Sequence, residues 1–318
     1  MKPPYTLTTF ILKRIASISE KIGEIRTAHL HQLPTELRKR NRIKTIQSSL
    51  EIEGNILSIE QITALLDNKR VIAPEKDIKE VQNAISAYDK LDNYKAYSVP
   101  SLCNAHKILM RDLVEKPGTL RTTDVGIVKG SQVTHIAPPP NLVKSLLNNL
   151  FDYVQNDPEL LLIKSCVFHY EFEFIHPFTD GNGRMGRLWQ TVILRRQYPV
   201  FDYLPMESLI KKKQGEYYGA LSQSDKEGNS TIFIEFMLFI IEESLEELLT
   251  TQRVSLNPKN RIEIFKTETL YTTFSRQDYM RHFKDISTAT GSRDLKQAVI
   301  EGIIKKNGDK RMTEYQFV

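Results

Sequence analysis

The sequence predicts a mostly α-helical protein with one β-hairpin and a small, separate C-terminal domain. Apolar residues recur at intervals of three and four as far as about residue 253, which is the spacing of amphipathic and buried helices. Residues 118–140 interrupt this pattern with three glycines, short β-branched runs and a triple proline, as expected for a hairpin. A proline among polar residues at 255–260 then ends the last long helix.

The composition is that of an ordinary soluble globular protein, with 318 residues, 40% hydrophobic and 26% charged. The longest apolar run, at 236–241, is too short to cross a bilayer, so no membrane association is expected. No leader-like segment opens the chain, and Cys103 and Cys166 lack metal-ligand spacing. We interpret them as core thiols of a cytoplasmic protein. A net charge of +5 does not by itself indicate nucleic-acid binding.

Helices are expected throughout residues 1–95, which form an N-terminal helical region, and at the start of the following core, residues 96–254. Their predicted ranges are 8–26, 36–54, 58–66 with Ser58 as N-cap, 75–94 and 98–113. Beyond the hairpin, helices are expected over 141–156, over 159–175 and from 181–183 onward to about residue 253.

The stretch FIHPFTDGNGRMGR, residues 174–187, forms a short loop between two predicted helices. Its Gly-Asn-Gly, at 181–183, lies where the second helix begins, and both residue types tolerate a left-handed backbone. The first N–H groups of a helix lack internal partners and carry the positive end of its dipole, so this turn predicts an anion site. Arg184 and Arg187 are one turn apart and are expected to reach the same anion, a polyphosphate.

Two further residues of this loop suggest chemistry. Asp180 offers the hard oxygen that Mg²⁺ needs beside a phosphate, and His176 can take a proton near neutral pH. Together with the anion site they suggest nucleotidyl or phosphoryl transfer. A plain helical corner with solvated arginines would explain any one of these residues, but it explains the whole set poorly.

The loop resembles the motif of the Fic family, H-x-F-x-(D/E)-G-N-G-R-x-x-R, at every specified position. The matching residues are His176, Phe178, Asp180, Gly181, Asn182, Gly183, Arg184 and Arg187. Eight specified positions would match by chance on the order of once in ten million chains of this length. The resemblance implies a Fic-fold helical core with a flap, and transfer of AMP from ATP to a hydroxyl side chain of a target protein.

The resemblance also implies a role for each residue of the loop. His176 is the general base, Asp180 holds Mg²⁺, and Phe178 packs into the core. The nucleotide is bound along the remaining stretch, which consists of Gly181, Asn182, Gly183, Arg184, Met185, Gly186 and Arg187.

Two other segments resemble Fic proteins. Gly118 and Arg121 mark the flap region, whose strand pairs with the target in that family; the implied contacts are Val133, Thr134, His135 and Ile136. GEYYGAL, at 215–221, resembles the tyrosine pair that lines the adenosine pocket, which gives Tyr217 and Tyr218. Asp225 departs from the asparagine of many relatives.

A further motif, (S/T)-x-x-x-E-(G/N), is met by Ser49, Glu53 and Gly54. In related proteins this glutamate pairs with the second arginine of the main motif, here Arg187, and occupies the position of the γ-phosphate. The resemblance therefore implies an inhibitory helix. A simple helix C-terminus with Gly54 beyond its end is compatible with the same residues.

Residues 255–318 resemble a winged helix, with predicted helices over 261–274, 275–284 and 288–304 and a two-stranded ribbon turning at Asn307-Gly308. Basic residues are only slightly in excess there, so DNA binding competes with dimerisation or target docking. Two other readings remain open: transfer of another phosphate-containing group or removal of AMP, and a DNA-binding regulator that uses the core as a nucleotide sensor.

Overall fold

The computed structural model describes residues 2–27, 35–129, 132–255, 258–269, 271–283, 286–308 and 313–318. The chain divides into two compact units. The larger consists of Met1–Ile25 with Thr35–Glu247, and the smaller of Arg26–Pro34 with Leu248–Val318.

The larger unit is almost entirely helical, as the sequence predicts. Its helices, the first and last of which extend past its limits, are α1 (Thr9–Thr27), α2 (Thr35–Ile52), α3 (Ile59–Leu66), α4 (Glu75–Tyr88), α5 (Val99–Leu109), α6 (Pro140–Asn156), α7 (Leu161–Ile175), α8 (Asn182–Leu194), α9 (Met206–Lys212), α10 (Gln214–Glu227) and α11 (Thr231–Ser255). Within the described residues, none of these helices combines the length and apolarity that crossing a bilayer requires.

Helix α7 lies at the centre of this unit. Twelve of its fifteen residues are buried, which explains why its sequence is apolar all round rather than along one stripe. Helices α6 and α8 pack against it. On α8, Trp189 is fully buried, and its indole N–H donates to the Ala96 carbonyl at 3.0 Å. The loop of residues 176–181 is thus held between two helices fixed in the core.

The two cysteines differ in burial. Cys166 lies in the core on α7, where burial raises its pKa to about 12. Cys103, on α5, is only partly buried, and desolvation raises its pKa as well. Both cysteines are free thiols. The expectation of a core position is confirmed for Cys166, which is buried, and wrong for Cys103, which is only partly buried.

The predicted hairpin is present. Strand β1 (Gly126–Lys129) pairs antiparallel with β2 (Gln132–Ile136), from Gly126 opposite Ile136 to Lys129 opposite Gln132, with an irregularity between Ile127 and Val128. The side chains of residues 127–136 lie outside the described part of the structure.

The smaller unit combines three helices with a three-stranded sheet. Its elements are α12 (Pro258–Glu268), β3 (Thr273–Ser275), α13 (Arg276–His282), α14 (Thr288–Ile300), β4 (Ile304–Asn307) and β5 (Glu314–Phe317). The antiparallel sheet has the order β3-β5-β4, and Phe265, Tyr279 and Leu295 lie in the core beneath it.

Three predictions for this unit are wrong in detail. The predicted helices over 261–274 and 288–304 end at Glu268 and Ile300, and the expected two-stranded ribbon has a third strand, β3. Three residues immediately before a helix are too short for an alternating pattern to be recognised. The winged-helix assignment stays a prediction.

Gly118 provides a test of how the hairpin is connected to α5. It has a φ of +84°, and a Cβ there would lie 2.8 Å from both the Cys103 carbonyl oxygen and the Lys107 Cβ. We expect Gly118→Ala to lower the free energy of unfolding by about 2–5 kcal/mol, because a left-handed backbone costs about 1–2 and overpacking about 1–3 kcal/mol. Denaturant unfolding followed by the fluorescence of the single tryptophan, Trp189, measures this change.

The matched control is Gly23→Ala. Gly23 lies in α1, and a Cβ there would have no neighbour within 4 Å. This variant should be more stable than the wild type by about 0.5–1 kcal/mol, because alanine loses less backbone entropy in a helix. The same destabilisation in both variants would contradict the steric explanation.

Candidate functional site

The loop between α7 and α8 has an unusual backbone at both ends. His176 caps α7 in the left-handed conformation (φ 49°, ψ 60°), which costs a non-glycine residue about 1–2 kcal/mol. Gly181, with φ 81°, precedes the first residue of α8. These two reversals fold the loop sharply, and strain of this kind in a non-glycine residue is typical of functional sites.

Asn182 fixes the loop through its side chain. Its Oδ1 accepts the Phe178 N–H at 2.9 Å, and its Nδ2 donates to the Phe178 carbonyl at 2.8 Å. Asn182 itself lies within α8 and not in the left-handed region, so the expectation that it substitutes for glycine is wrong. Its buried amide instead holds Phe178, which is fully buried as expected.

His106 of α5 supports the same loop, although nothing in the sequence singled it out. Its ring stacks on Phe178 with 3.7 Å between centroids and 7° between planes. Its Nδ1 accepts the Gly118 N–H at 2.8 Å, which leaves Nε2–H to donate to the Asp180 carbonyl at 3.0 Å. Burial lowers the pKa of His106 to about 4, so the ring is neutral and holds this tautomer.

Arg187 is buried and paired with Glu53. Its Nη2 donates to Glu53 Oε1 at 2.7 Å and to the Ser49 carbonyl at 3.0 Å, while Nε donates to Ser49 Oγ at 3.1 Å. Burial acts to lower the pKa of Arg187, but the Glu53 carboxylate, together with Tyr217 and Glu173, raises it above its ordinary value. The guanidinium is therefore a permanent cation in the core, and its charge is neutralised by the carboxylate of Glu53, the residue that follows α2.

Glu53 also lies against the first turn of α8. A Cβ on Gly183 would come within 2.5 Å of Glu53 Oε1 and 3.1 Å of Arg187 Nη1. A carboxylate of the protein thus occupies the place that the unpaired N–H groups and the helix dipole make favourable for an anion. The absence of a side chain at Gly183 is what lets an anion approach so closely.

Arg184 is buried as well, but it has different partners. Its Nη1 donates to Glu80 of α4 at 3.1 Å, and its Nη2 to Asp180 at 3.2 Å. Glu80 also accepts from Asn55, which follows Gly54, at 2.8 Å. Arg184 is therefore paired with two carboxylates, neither of which is the partner of Arg187.

Asp180 is the exposed member of the loop, with 58% of its side-chain surface accessible. Its Oδ1 accepts from Gly181 N–H and from Arg184. The described residues contain no cluster of three or more His, Cys, Asp or Glu that could enclose a metal. A single exposed carboxylate beside an anion site fits Mg²⁺, which takes one or two protein ligands together with phosphates and water.

The other residues that were expected to bind nucleotide or target differ in where they lie. Met185 is fully buried in the core. A Cβ on Gly186 would lie 2.7 Å from Glu173 Oε1, so that glycine permits close packing of α8 on α7. The predicted flap contacts Val133, Thr134, His135 and Ile136 lie in β2, and their side chains are outside the described residues.

The tyrosine pair of α10 divides between core and surface. Tyr217 is buried, with its hydroxyl 3.1 Å from His169 Nε2, whereas Tyr218 is 38% exposed. The two rings contact edge-on with 5.3 Å between centroids. Asp225 of the same helix accepts the Tyr170 hydroxyl at 2.9 Å.

The α9–α10 segment also holds the end of α2. Lys211 donates to the Glu51 carbonyl at 3.1 Å, and Gln214 donates to the Ile52 carbonyl at 3.0 Å. These bonds satisfy carbonyls that the end of a helix leaves without partners. The residues next to Glu53 are therefore fixed by the helix pair that carries the tyrosines.

Comparison with known proteins shows the family of this chain. The profile of the Fic/DOC family matches residues 96–194. A crystal structure of a Fic family protein from Desulfovibrio desulfuricans G20 is 38% identical, with a TM-score of 0.78, over 100% of this chain and 98% of that one. The chain therefore belongs to the Fic family.

Curated relatives carry more specific names. Protein adenylyltransferase fic-1 of Caenorhabditis briggsae is 28% identical over 72% of this chain and 46% of its own length. Protein adenylyltransferase Fic of Nematostella vectensis is 27% identical over 66% and 49%. The chain thus spans about half the length of the curated relatives it matches.

The burial of His169, which contacts the Tyr217 hydroxyl, can be tested through its effect on stability. Burial lowers its pKa to about 3, so the unfolded chain takes up a proton first as the pH falls below 6.5. We expect His169 to make the protein lose about 2–3 kcal/mol of stability between pH 6.5 and about 4.5. Denaturant unfolding of the wild type and His169→Gln across this range measures the difference.

Glu207 acts in the opposite direction over the same range. Burial raises the pKa of its carboxyl to about 7, so it stabilises the folded state as the pH falls. Because Glu207 is present in both proteins, its contribution cancels in the comparison. Equal pH dependence of the wild type and His169→Gln would contradict a buried, neutral His169.

Proposed function

We propose that this chain is a protein adenylyltransferase that moves AMP from ATP to a serine, threonine or tyrosine hydroxyl of a target protein and of itself, with release of pyrophosphate. The observation that carries the proposal is the anion site at the start of α8, where Gly183 admits a negatively charged group beside buried Arg187. The names of the curated relatives support the same activity.

The residues of the loop suit the chemistry of this transfer. The phosphates of ATP would bind to the N–H groups at residues 181–183, with Arg184 and Arg187 neutralising their charge. Asp180 would hold Mg²⁺, which stabilises the charge that develops on the phosphates. His176 Nδ1 lies 3.4 Å from the Glu173 carbonyl, and when Nδ1 donates there, Nε2 carries the lone pair that takes the hydroxyl proton.

Glu53 would inhibit the transfer. Its carboxylate is bound to the arginine that the γ-phosphate needs, and the two anions would compete for one place. The γ-phosphate would then bind weakly or tilt the nucleotide, so that the α-phosphate is out of line with the attacking hydroxyl. The wild-type protein would accordingly be slow.

Incubation of the purified protein with Mg²⁺ and either α- or γ-labelled ATP tests the proposal. Label from the α-phosphate alone should enter the protein, and mass spectrometry should locate AMP on a hydroxyl side chain. Incorporation of γ-label would instead indicate a kinase-like activity. Loss of AMP from a previously modified target would indicate that the protein removes AMP from its target.

A second function, DNA binding, is suggested by the smaller unit. Arg293 and Lys296 are exposed on α14, and Lys305 and Lys306 are exposed on β4. If this unit is a winged helix, α14 is its recognition helix and β4 belongs to its wing. Absence of salt-sensitive binding to a duplex in a gel shift would favour dimerisation or target docking instead.

The unpaired cysteines support a cytoplasmic location.

His176→Ala should abolish AMP transfer while leaving ATP binding almost unchanged, because the imidazole acts on the incoming hydroxyl and not on the nucleotide. Loss of one positioned base lowers the rate by about 10²–10⁴-fold. Rate assays and calorimetric titration with ATP measure the two effects separately. A large loss of ATP affinity would show that the histidine has another role.

Glu53→Gly should accelerate self-adenylylation. Removal of the carboxylate releases Arg187 for the γ-phosphate, and a charge-assisted hydrogen bond contributes about 1.5–3 kcal/mol. This corresponds to about one to two orders of magnitude in rate or affinity. Labelled ATP and mass spectrometry measure the change.

The double variant Glu53→Gly/Arg187→Ala is the control. It should lose the acceleration, because no guanidinium then receives the γ-phosphate. If the wild type and Glu53→Gly react at the same rate, Glu53 is only a residue at the end of a helix.

A further inference from the structure

Arg121 is a buried arginine whose partners are main-chain carbonyls. Only 3% of its surface is exposed. Its Nε donates to the His176 carbonyl at 2.7 Å, and its Nη2 donates to the Ile175 carbonyl at 3.2 Å. Its own main-chain N–H donates to the Pro177 carbonyl at 2.9 Å. Three consecutive carbonyls at the end of α7 thus bind one residue.

These bonds satisfy a specific need of the loop. The last carbonyls of a helix have no partners within it, and the negative end of the helix dipole favours a cation there. His176 adds a left-handed backbone that rotates its carbonyl away from the helix. The guanidinium compensates for both effects, because its planar fork carries five donors in fixed directions.

The same guanidinium binds both ends of the hairpin. Its Nη1 donates to the Thr123 carbonyl, before β1, at 3.0 Å, and its Nη2 also donates to the Pro138 carbonyl, after β2. A single planar group therefore joins the main chain of His176 to both connections of the hairpin.

The charge of Arg121 is held in place by carbonyl dipoles. Burial acts to lower its pKa, and Asp124 opposes this at a distance, but a guanidinium remains protonated in proteins. Lysine would keep the charge as a single point, and it could not reach four carbonyls that diverge in direction. The geometry of the group, in addition to its charge, is thus required.

We infer that Arg121 is a positioning residue that fixes the backbone of His176 relative to the hairpin that receives the target. This inference rests on the proposed function, in which His176 is the base and the hairpin holds the hydroxyl segment. Arg121 touches neither the nucleotide nor the hydroxyl in this arrangement. Its effect reaches the reaction through the distance between the base and the hydroxyl.

The test compares Arg121→Lys and Arg121→Gln with Arg195→Lys. Arg195 is a matched control, because its guanidinium in the same unit also binds a main-chain carbonyl, that of Leu91 at 2.7 Å, and it pairs with Asp92 and Asp202. We expect both Arg121 variants to lower the kcat of AMP transfer by about 10²-fold, because a displacement of about 1 Å in a reacting group has an effect of this size. Calorimetric affinity for ATP should change less than about threefold.

A second measurement does not depend on activity. Hydrogen exchange of the main-chain amides of β1 and β2 should accelerate at least about tenfold in the Arg121 variants and stay unchanged in Arg195→Lys. In NMR spectra of histidine-labelled protein, the His176 signal, assigned with His176→Ala, should shift in the Arg121 variants alone. Two substitutions are used so that a folded variant is available, and the fluorescence of Trp189 verifies the fold.

The outcomes separate this inference from the proposed function. If neither the wild type nor Glu53→Gly transfers AMP, the proposed function fails, while hydrogen exchange and NMR still decide whether Arg121 joins His176 to the hairpin. Unchanged exchange in the hairpin or an unchanged His176 signal would overturn the inference. The inference would also be overturned if Arg195→Lys, with the same loss of thermal stability as an Arg121 variant, lowered kcat to the same extent.

Discussion

The burial of two arginines at the start of α8 is the constraint on which the rest of the site depends. A guanidinium stays charged in the core, so its charge must be compensated there, and for these two arginines carboxylates do so. Here the partners come from distant parts of the chain, Glu53 for Arg187 and Glu80 for Arg184. Helices α2 and α4 are thereby tied to α8, and a phosphate could satisfy the same charges in place of a carboxylate.

The sequence predicted the parts of this site that depend on local spacing. The two helices around the loop, the hairpin and the start of α8 follow from periodicity, glycine and proline, and the structure confirms them. The approach of Glu53 to Arg187 was expected only from the family resemblance, because the two residues are 134 positions apart. The roles of these residues in catalysis stay predictions.

Sequence reasoning missed the residues that act through tertiary contacts. His106 is 74 positions from Asp180, and no local pattern indicates that its ring stacks on Phe178. The sequence suggests a left-handed backbone at Asn182, whereas its actual contribution is a side chain that binds the main chain of Phe178 and holds the loop. Residues of this kind are recognised only when the fold brings their partners together, because each is unremarkable among its neighbours in the chain.

The ion pair between Arg187 and Glu53 has a consequence for how stability and function are related. The pair neutralises a cation within the core of the resting protein, so it contributes to folding, and under the proposed function it also lowers activity. A more active variant would then begin from a less stable resting state and would recover stability only when nucleotide is bound. Cellular nucleotide concentration would thereby affect the lifetime of such a protein as well as its reaction rate.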